Sequence, residues 1–225
     1  MFVGHFALGF AAKKATPRTS LATLFVAAQL ADILWPILIA LGVEQVLIAP
    51  GNTVATPLDF VGYPWSHSLL MLVIWGVVFG GIYFARTRDK RAAMVIFALV
   101  VSHWVLDWIT HRPDMPLYPG GPKLGLGLWN SFHLAMAVEL AMYAVGVAIY
   151  ARATRAKDRQ GRWVFWILVL LLLAAYLGSS FAGPPPSVKA IWITAMIGTL
   201  VTLVLAWWAD RHRDSVGIAK QKPGQ

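Results

Sequence analysis

Long apolar runs separated by short polar breaks set the pattern of this chain. The runs at 21–42, 66–85, 92–110, 126–150, 163–181 and 191–208 are close to the roughly 20 residues a helix needs to cross a hydrocarbon core. A shorter run, 2–12, makes a helix of about 16 Å, too short for a core about 30 Å thick, and reads as a half-membrane or re-entrant element. The pattern therefore predicts an all-α fold, a polytopic transmembrane helical bundle of about six spans plus a short N-terminal half-membrane helix. Residues 1–210 read as one domain, with the candidate chemistry in 1–150 and packing spans in 163–209; residues 211–225 read as a flexible basic tail.

The connections refine this reading. Thr19 or Ser20 can cap the first span, which Gln29, Asp32 and Pro36 interrupt; Pro36 predicts a kink. Residues 43–65 carry Pro50, Gly51, Asn52, Pro57, Gly62 and Pro64 and no Lys or Arg, so they read as a loop. Residues 111–127 are equally rich in Gly and Pro and predict a shaped rim. Basic clusters fall before the first, third and fifth spans and after the sixth, the positive-inside pattern for two cytoplasmic termini and two periplasmic breaker-rich loops. The opening MFVGHFALGF has no basic residue ahead of its apolar positions, which is not a signal-peptide layout, and it is expected to remain in the mature protein.

Composition narrows the class. The chain of 225 residues is 58% hydrophobic and 13% charged, with a mean hydropathy of +0.64, too apolar for a soluble domain. The net charge of +9 sits in the inter-span clusters, so topology accounts for it and no nucleic-acid partner is expected. With no cysteine, disulfides and thiolate metal sites are excluded, leaving His, Asp and Glu as strong ligands. Trp163, Trp207 and Trp208 suit an interfacial belt, and Trp104 and Trp108 a pocket lining.

The candidate chemistry centres on residues 102–116, SHWVLDWITHRPDMP, where His103, Asp107 and His111 recur every four residues and so share one face of a helix. An ionisable group at the bilayer centre costs about 2.5–3.5 kcal/mol on insertion scales, so such groups face a bundle interior and mark functional sites. Two imidazoles and a carboxylate are ligand types for zinc or a similar divalent ion. Asp32, His67, His103, Asp107 and Glu139 come from four spans yet fall within about 10 Å of one another in depth, with His67, His103 and Asp107 in the outer half and His5 about 12 Å from Lys13 if its segment is helical. His67, His103 and Asp107 are the leading metal ligands, with Asp32 and His5 next. Asp32 and Glu139 are the candidate catalytic carboxylates, Glu139 as general base or as the partner that orients a histidine. A hydrogen-bonded structural cluster competes with each assignment. His111 and His133 read as ordinary interfacial histidines and His212 as solvated; Arg112 and Lys123 suit either an anionic head group or plain loop charge.

GHFALG, LAD, WSHSLL and SHWVLDWIT together resemble the bacterial inner-membrane-associated metal-dependent hydrolases, a family also described as LexA-binding. The matching features are His5 with Gly9, Asp32, Ser66 to Leu69, and Ser102 to Thr110 followed by a Gly/Pro-rich loop, over roughly residues 1–130. The resemblance implies a divalent-metal site, most simply zinc with manganese as the alternative, and an activity similar to that of zinc-dependent phospholipases. The Asp pair often seen in the family's first long helix is here Asp32 alone.

The expected function is a membrane-embedded metal hydrolase of a lipid or lipid-linked ester or phosphoester, with membrane lipids as partners, in a bacterial inner membrane and with its site towards the periplasm. A proton-coupled transporter or channel would use the same acids and histidines as a relay spread over the full depth. A haem carrier would need facing axial histidines, such as His67 with His133.

Overall fold

The computed structural model describes residues 1–216. Its elements run α1 (Val3–Ala15), α2 (Leu21–Ala28), α3 (Leu30–Ala40), β1 (Gln45–Ile48), β2 (Leu58–Gly62), α4 (Pro64–His67), α5 (Leu69–Thr87), α6 (Lys90–Thr110), β3 (Met115–Pro116), β4 (Lys123–Leu124), α7 (Phe132–Ala153), β5 (Thr154–Ala156), α8 (Arg159–Phe181), α9 (Val188–Arg211) and β6 (Arg213–Ser215). Helices α5 to α9 are each long and apolar enough to cross a membrane, and α2 with α3 forms a sixth candidate span bent by 61°. The all-α multi-span bundle expected from the hydrophobic pattern is the architecture observed.

The short N-terminal helix is α1, and it lies inside the bundle rather than against lipid. Its residues Val3 to Ala7 are buried, as are Gly9 and Phe10. Irregular or short backbone at membrane depth is tolerated where protein covers it, and α1 meets that condition by packing along α7. The approach is close enough that a β-carbon at Gly146 would meet the backbone of Ala7. Within lipid, helix association rests on van der Waals packing rather than on apolar transfer, so small residues at such crossings carry the contact.

The first span breaks at the first of its three polar or proline interruptions, Gln29, and not at Pro36. Ser20 caps α2, its Oγ accepting from Thr23 N at 3.1 Å, but the helix stops at Ala28 and restarts at Leu30. Pro36, the expected kink, sits inside α3. The bend therefore lies at Gln29, one turn before Asp32.

Two apolar clusters flank the break. One joins α1, α2, α7, α8 and α9 around Phe10, Phe25, Tyr143, Tyr150 and Phe165; the other joins α2, α3, α5 and α6 around Trp35, Tyr63, Leu72, Ile96 and Val100. The 43–65 loop contains an antiparallel hairpin, β1 on β2, and the 111–127 rim holds the short β3–β4 pair.

At the opposite end, β5 and β6 pair, so the stretch read as a tail continues first as helix to Arg211 and then as a strand. Residues 217–225 of that stretch lie outside the described residues. Asp210 here accepts from Lys13 Nζ at 2.7 Å, Tyr150 Oη at 2.9 Å and Leu21 N at 3.1 Å. Trp163, Trp207 and Trp208 are exposed near the helix ends, as an interfacial belt requires.

Candidate metal centre

Four segments bring the five ligand candidates together. His5 comes from the first turn of α1, Asp32 from α3 just past the break, His67 from the last position of α4, and His103 and Asp107 from successive turns of α6. Two overlapping triads, His5–His103–Asp107 and Asp32–His67–His103, each keep their ligand atoms within 4.8 Å of one another. His103 is common to both.

The spacings match those of a coordination sphere. His103 Nε2 lies 3.2 Å from Asp107 Oδ2 and 3.8 Å from Asp32 Oδ1. His67 Nε2 lies 3.4 Å from Asp32 Oδ1 and 3.9 Å from Asp107 Oδ2. Ligand atoms on a tetrahedral zinc are about 3.3 Å apart, given bonds of about 2.0–2.1 Å. The His5 ring stacks on His103 at 3.7 Å and 3°, and its Nε2 is 3.0 Å from Asp107 Oδ1. That oxygen also takes the Met1 amine.

The break in the first span has a role here. Ala28 ends α2, and its carbonyl, which a continuous helix would pair with the N–H of Asp32, accepts instead from His103 Nδ1 at 2.8 Å. With Nδ1 as donor, Nε2 carries the lone pair. His103 Nε2 is buried and has no hydrogen-bond partner. His5 Nδ1, Gln29 Oε1 and Trp35 Nε1 are the other buried side-chain polar atoms without one among the described residues. Gln29 and Trp35 line the cavity into which the cluster opens. Orphaned polar atoms are rare in folded proteins and call for an explanation; an imidazole lone pair between two carboxylates fits a cation.

The remaining candidates are placed differently. Glu139 lines the same cavity, but its Oε2 accepts the backbone N–H groups of Phe2 at 2.7 Å and Gly4 at 3.3 Å, and it orients no histidine among the described residues. His111 leaves the predicted stripe because α6 ends at Thr110 and the next residue turns to extended backbone. Its Nδ1 lies 2.9 Å from Asp114 Oδ1. Burial pushes the His111 imidazole below its usual range, against the raising effect of Asp114. Tyr63 Oη donates to Asp114 at 3.0 Å, and burial holds that phenol well above its ordinary value, so it stays a donor.

His133 is exposed at the start of α7 while His67 is buried in the cluster, so they do not make a facing axial pair. His212 meets Asp158 at 2.7 Å. Arg112 is held between Asp59 and Asp114, and Lys123 donates to the Val61 carbonyl at 3.0 Å, so neither is a free head-group anchor. Trp104 and Trp108 stack on each other at 6.2 Å and do not line the cavity, whose aromatic wall is Phe2, Phe6, Trp35, Phe60, Trp129 and Tyr176.

The cavity has a volume of about 620 Å³, within the size range of small-molecule sites. Asp32, His67, Asp107 and Glu139 sit in its wall, and the rest is largely apolar, with Leu171, Leu172 and Ala175 of α8 and Ala195, Gly198 and Leu203 of α9. The last two spans, read as packing elements, thus also form part of the cavity. Sequence reasoning passed over Glu44, Tyr63 and Asp114. The available signals were a carboxylate two residues beyond the helix-ending Gly42, and a tyrosine directly before the Pro64 that opens the His67 helix.

The family model described as YdjM inner membrane protein matches residues 1–184. That match takes in every ligand candidate and stops in the turn before α9. No curated protein and no solved structure matches the chain.

Proposed function

The chain belongs to the YdjM inner membrane protein family, and from that premise and the buried His/Asp cluster we propose that this multi-pass membrane protein is a divalent-metal-dependent hydrolase. Its substrate is a lipid or lipid-linked ester or phosphoester, taken from the periplasmic side. The observation that carries the reading is the partnerless Nε2 of His103, buried between Asp32 and Asp107.

His67, His103 and Asp107 hold the ion, with Asp32 and His5 completing the set. Zinc suits these nitrogen and oxygen donors, and manganese is the alternative. A bound ion of this kind supplies Lewis-acid polarisation of an ester or phosphoester oxygen and activation of water near neutral pH. Asp32 is the ligand candidate with the most exposed side chain, 37%, so it is the carboxylate placed to take a proton from an incoming group. Glu139, tied to the backbone of α1, fixes that helix and with it His5. The apolar walls from α8 and α9 suit an acyl or prenyl chain and keep bulk water from the site. The basic clusters of the inter-span connections favour a cytoplasmic position for the Lys13–Asp210 end of the bundle, which turns the hairpin and rim to the periplasm; Met1, expected on the cytoplasmic side, is instead buried at the metal centre, its amine on Asp107.

A proton relay is the second reading, and it requires polar groups through the full depth. Along α1, His5 and Lys13 are separated by Phe6 and Phe10, which pack edge-on against Phe25 at 5.0 and 4.8 Å. That aromatic layer favours a closed site over a path. The test is elemental mass spectrometry of detergent-purified wild type, His103→Ala and Asp107→Ala. Near-stoichiometric zinc or manganese in the wild type, lost in both variants, is the expected result. A metal-free wild type after incubation with excess ion would sink the hydrolase reading.

A further inference from the structure

His67 differs from His103 in what orients it. Its Nδ1 meets a side chain, Ser66 Oγ at 2.7 Å, and Ser66 Oγ lies 2.6 Å from Glu44 Oε2. The other carboxylate oxygen, Glu44 Oε1, accepts the backbone N–H groups of Trp65 and Ser66, both at 2.8 Å. Glu44 is only 2% exposed and Ser66 fully buried. Among the described residues no Lys or Arg pairs with this carboxylate.

Backbone geometry aims it there. Gly42 ends α3 in the left-handed region at φ +72°, a conformation glycine adopts without penalty. The N–H groups of Val43 and Glu44 then close on the Leu38 carbonyl at 2.9 and 3.2 Å, which turns Glu44 under α4 immediately before β1.

The direction of the chain of hydrogen bonds follows from what each group can do. A carboxylate only accepts, so the single Ser66 hydroxyl proton goes to Glu44; the Tyr63 carbonyl, at 3.4 Å, is the weaker competitor. With its proton committed, Ser66 Oγ faces His67 Nδ1 as an acceptor. His67 therefore carries its hydrogen on Nδ1 and a lone pair on Nε2, the nitrogen that looks towards Asp32 and Asp107. The backbone carbonyl of Ala28 does the same for His103.

We propose that Glu44 is a positioning residue of the metal centre, which acts through Ser66 to fix His67 in the tautomer a divalent cation requires. The assignment rests on the metal-binding reading above. Outer-shell partners of this kind change metal affinity by about 10–100-fold when altered.

Glu44→Gln separates this role from simple capping of α4. The amide oxygen still accepts from Trp65 N and Ser66 N, and because those two donors fix its orientation, the NH₂ group donates to Ser66 Oγ. Ser66 must then donate to His67 Nδ1, which moves the imidazole hydrogen to Nε2. The expected result is a folded variant with a near wild-type thermal midpoint whose zinc affinity, measured by chelator competition, falls about 10–100-fold. Adding E44Q to His67→Ala should cost nothing further, since the relay then has no ligand to orient. Ser66→Ala, which keeps the Glu44 contacts to backbone, should weaken binding in the same direction. Wild-type affinity in E44Q, or an equal loss on the H67A background, would overturn the proposal. Tautomer state is read independently of any metal by ¹⁵N NMR of histidine-labelled protein: His67 should switch from Nδ1–H to Nε2–H in E44Q, and an unchanged tautomer would overturn the assignment even if the wild type binds no ion.

Discussion

Gly146 on α7 has no room for a β-carbon. One built there falls on the Ala7 carbonyl oxygen and comes within 2.7 Å of Ala7 Cα and 2.8 Å of its carbonyl carbon. These are backbone atoms of α1, which cannot swing aside as a side-chain tip does, so Gly146→Ala has to push α1 off α7. Overpacking costs about 1–3 kcal/mol, and an immovable neighbour puts this case at the upper end. Replacing Gly by Ala within a helix returns about 1 kcal/mol. The net loss is about 2 kcal/mol, or a fall of about 4–8 °C in thermal midpoint for a chain of this size. Gly198 on α9 is the control, because an added β-carbon there meets nothing within 4 Å; Gly198→Ala keeps the helix gain alone and should raise the midpoint by about 2–4 °C. Both variants are compared with wild type in one detergent at one scan rate by intrinsic tryptophan fluorescence. Because α1 carries His5, Gly146→Ala should also lower metal affinity. Shifts of the same sign for the two variants would refute the reasoning.

Asp210→Ala should cost about 3–5 kcal/mol, since it strands the buried Lys13 ammonium and removes the acceptor for Tyr150 and Leu21; the Lys13→Met/Asp210→Leu double variant should recover most of that loss in the same thermal assay, and no recovery would argue that the ion pair is not what holds this end together. For His111, burial lowers the folded-state pKa, so below about pH 6.5 the unfolded chain binds the extra proton. The stability linked to this residue is complete above that pH and is lost as pH falls. Between pH 7 and 5 the wild-type midpoint should therefore drop more steeply than that of His111→Gln, and parallel curves would show that His111 is not held neutral by burial.

The spans were legible because membrane crossing imposes a length and an apolar composition that the sequence displays directly. The ligand candidates were legible for a related reason: His5, Asp32, His67, His103 and Asp107 are expensive at their depths, so their presence needed explaining. Glu44 escaped notice because a carboxylate in a polar loop costs nothing when read from sequence, and only the turn at Gly42 buries it under α4. The cavity walls escaped notice for the opposite reason. Leu171, Ala175, Ala195 and Gly198 look like any lipid-facing apolar residues, and nothing in their identity tells a lining from a packing contact. His111 was drawn into the stripe by its spacing, but the four-residue period holds only while the helix lasts, and Thr110 ends it.

The break at Gln29 shows most clearly what a one-dimensional reading lacks. Pro36 is the stronger local breaker, yet α3 runs through it, because losing one N–H at that point frees a single carbonyl. Gln29 is an ordinary helix former, so local propensity favours continuing there. What offsets that preference is a partner 75 residues away: His103 Nδ1 takes the Ala28 carbonyl that the bend releases. A straight helix would return that carbonyl to the N–H of Asp32, so that the buried His103 Nδ1 would at best share its acceptor, and would weaken the constraint that keeps the lone pair on Nε2. The bent span and the tautomer of the central histidine are therefore one feature, shared between two segments that carry no sign of each other in sequence.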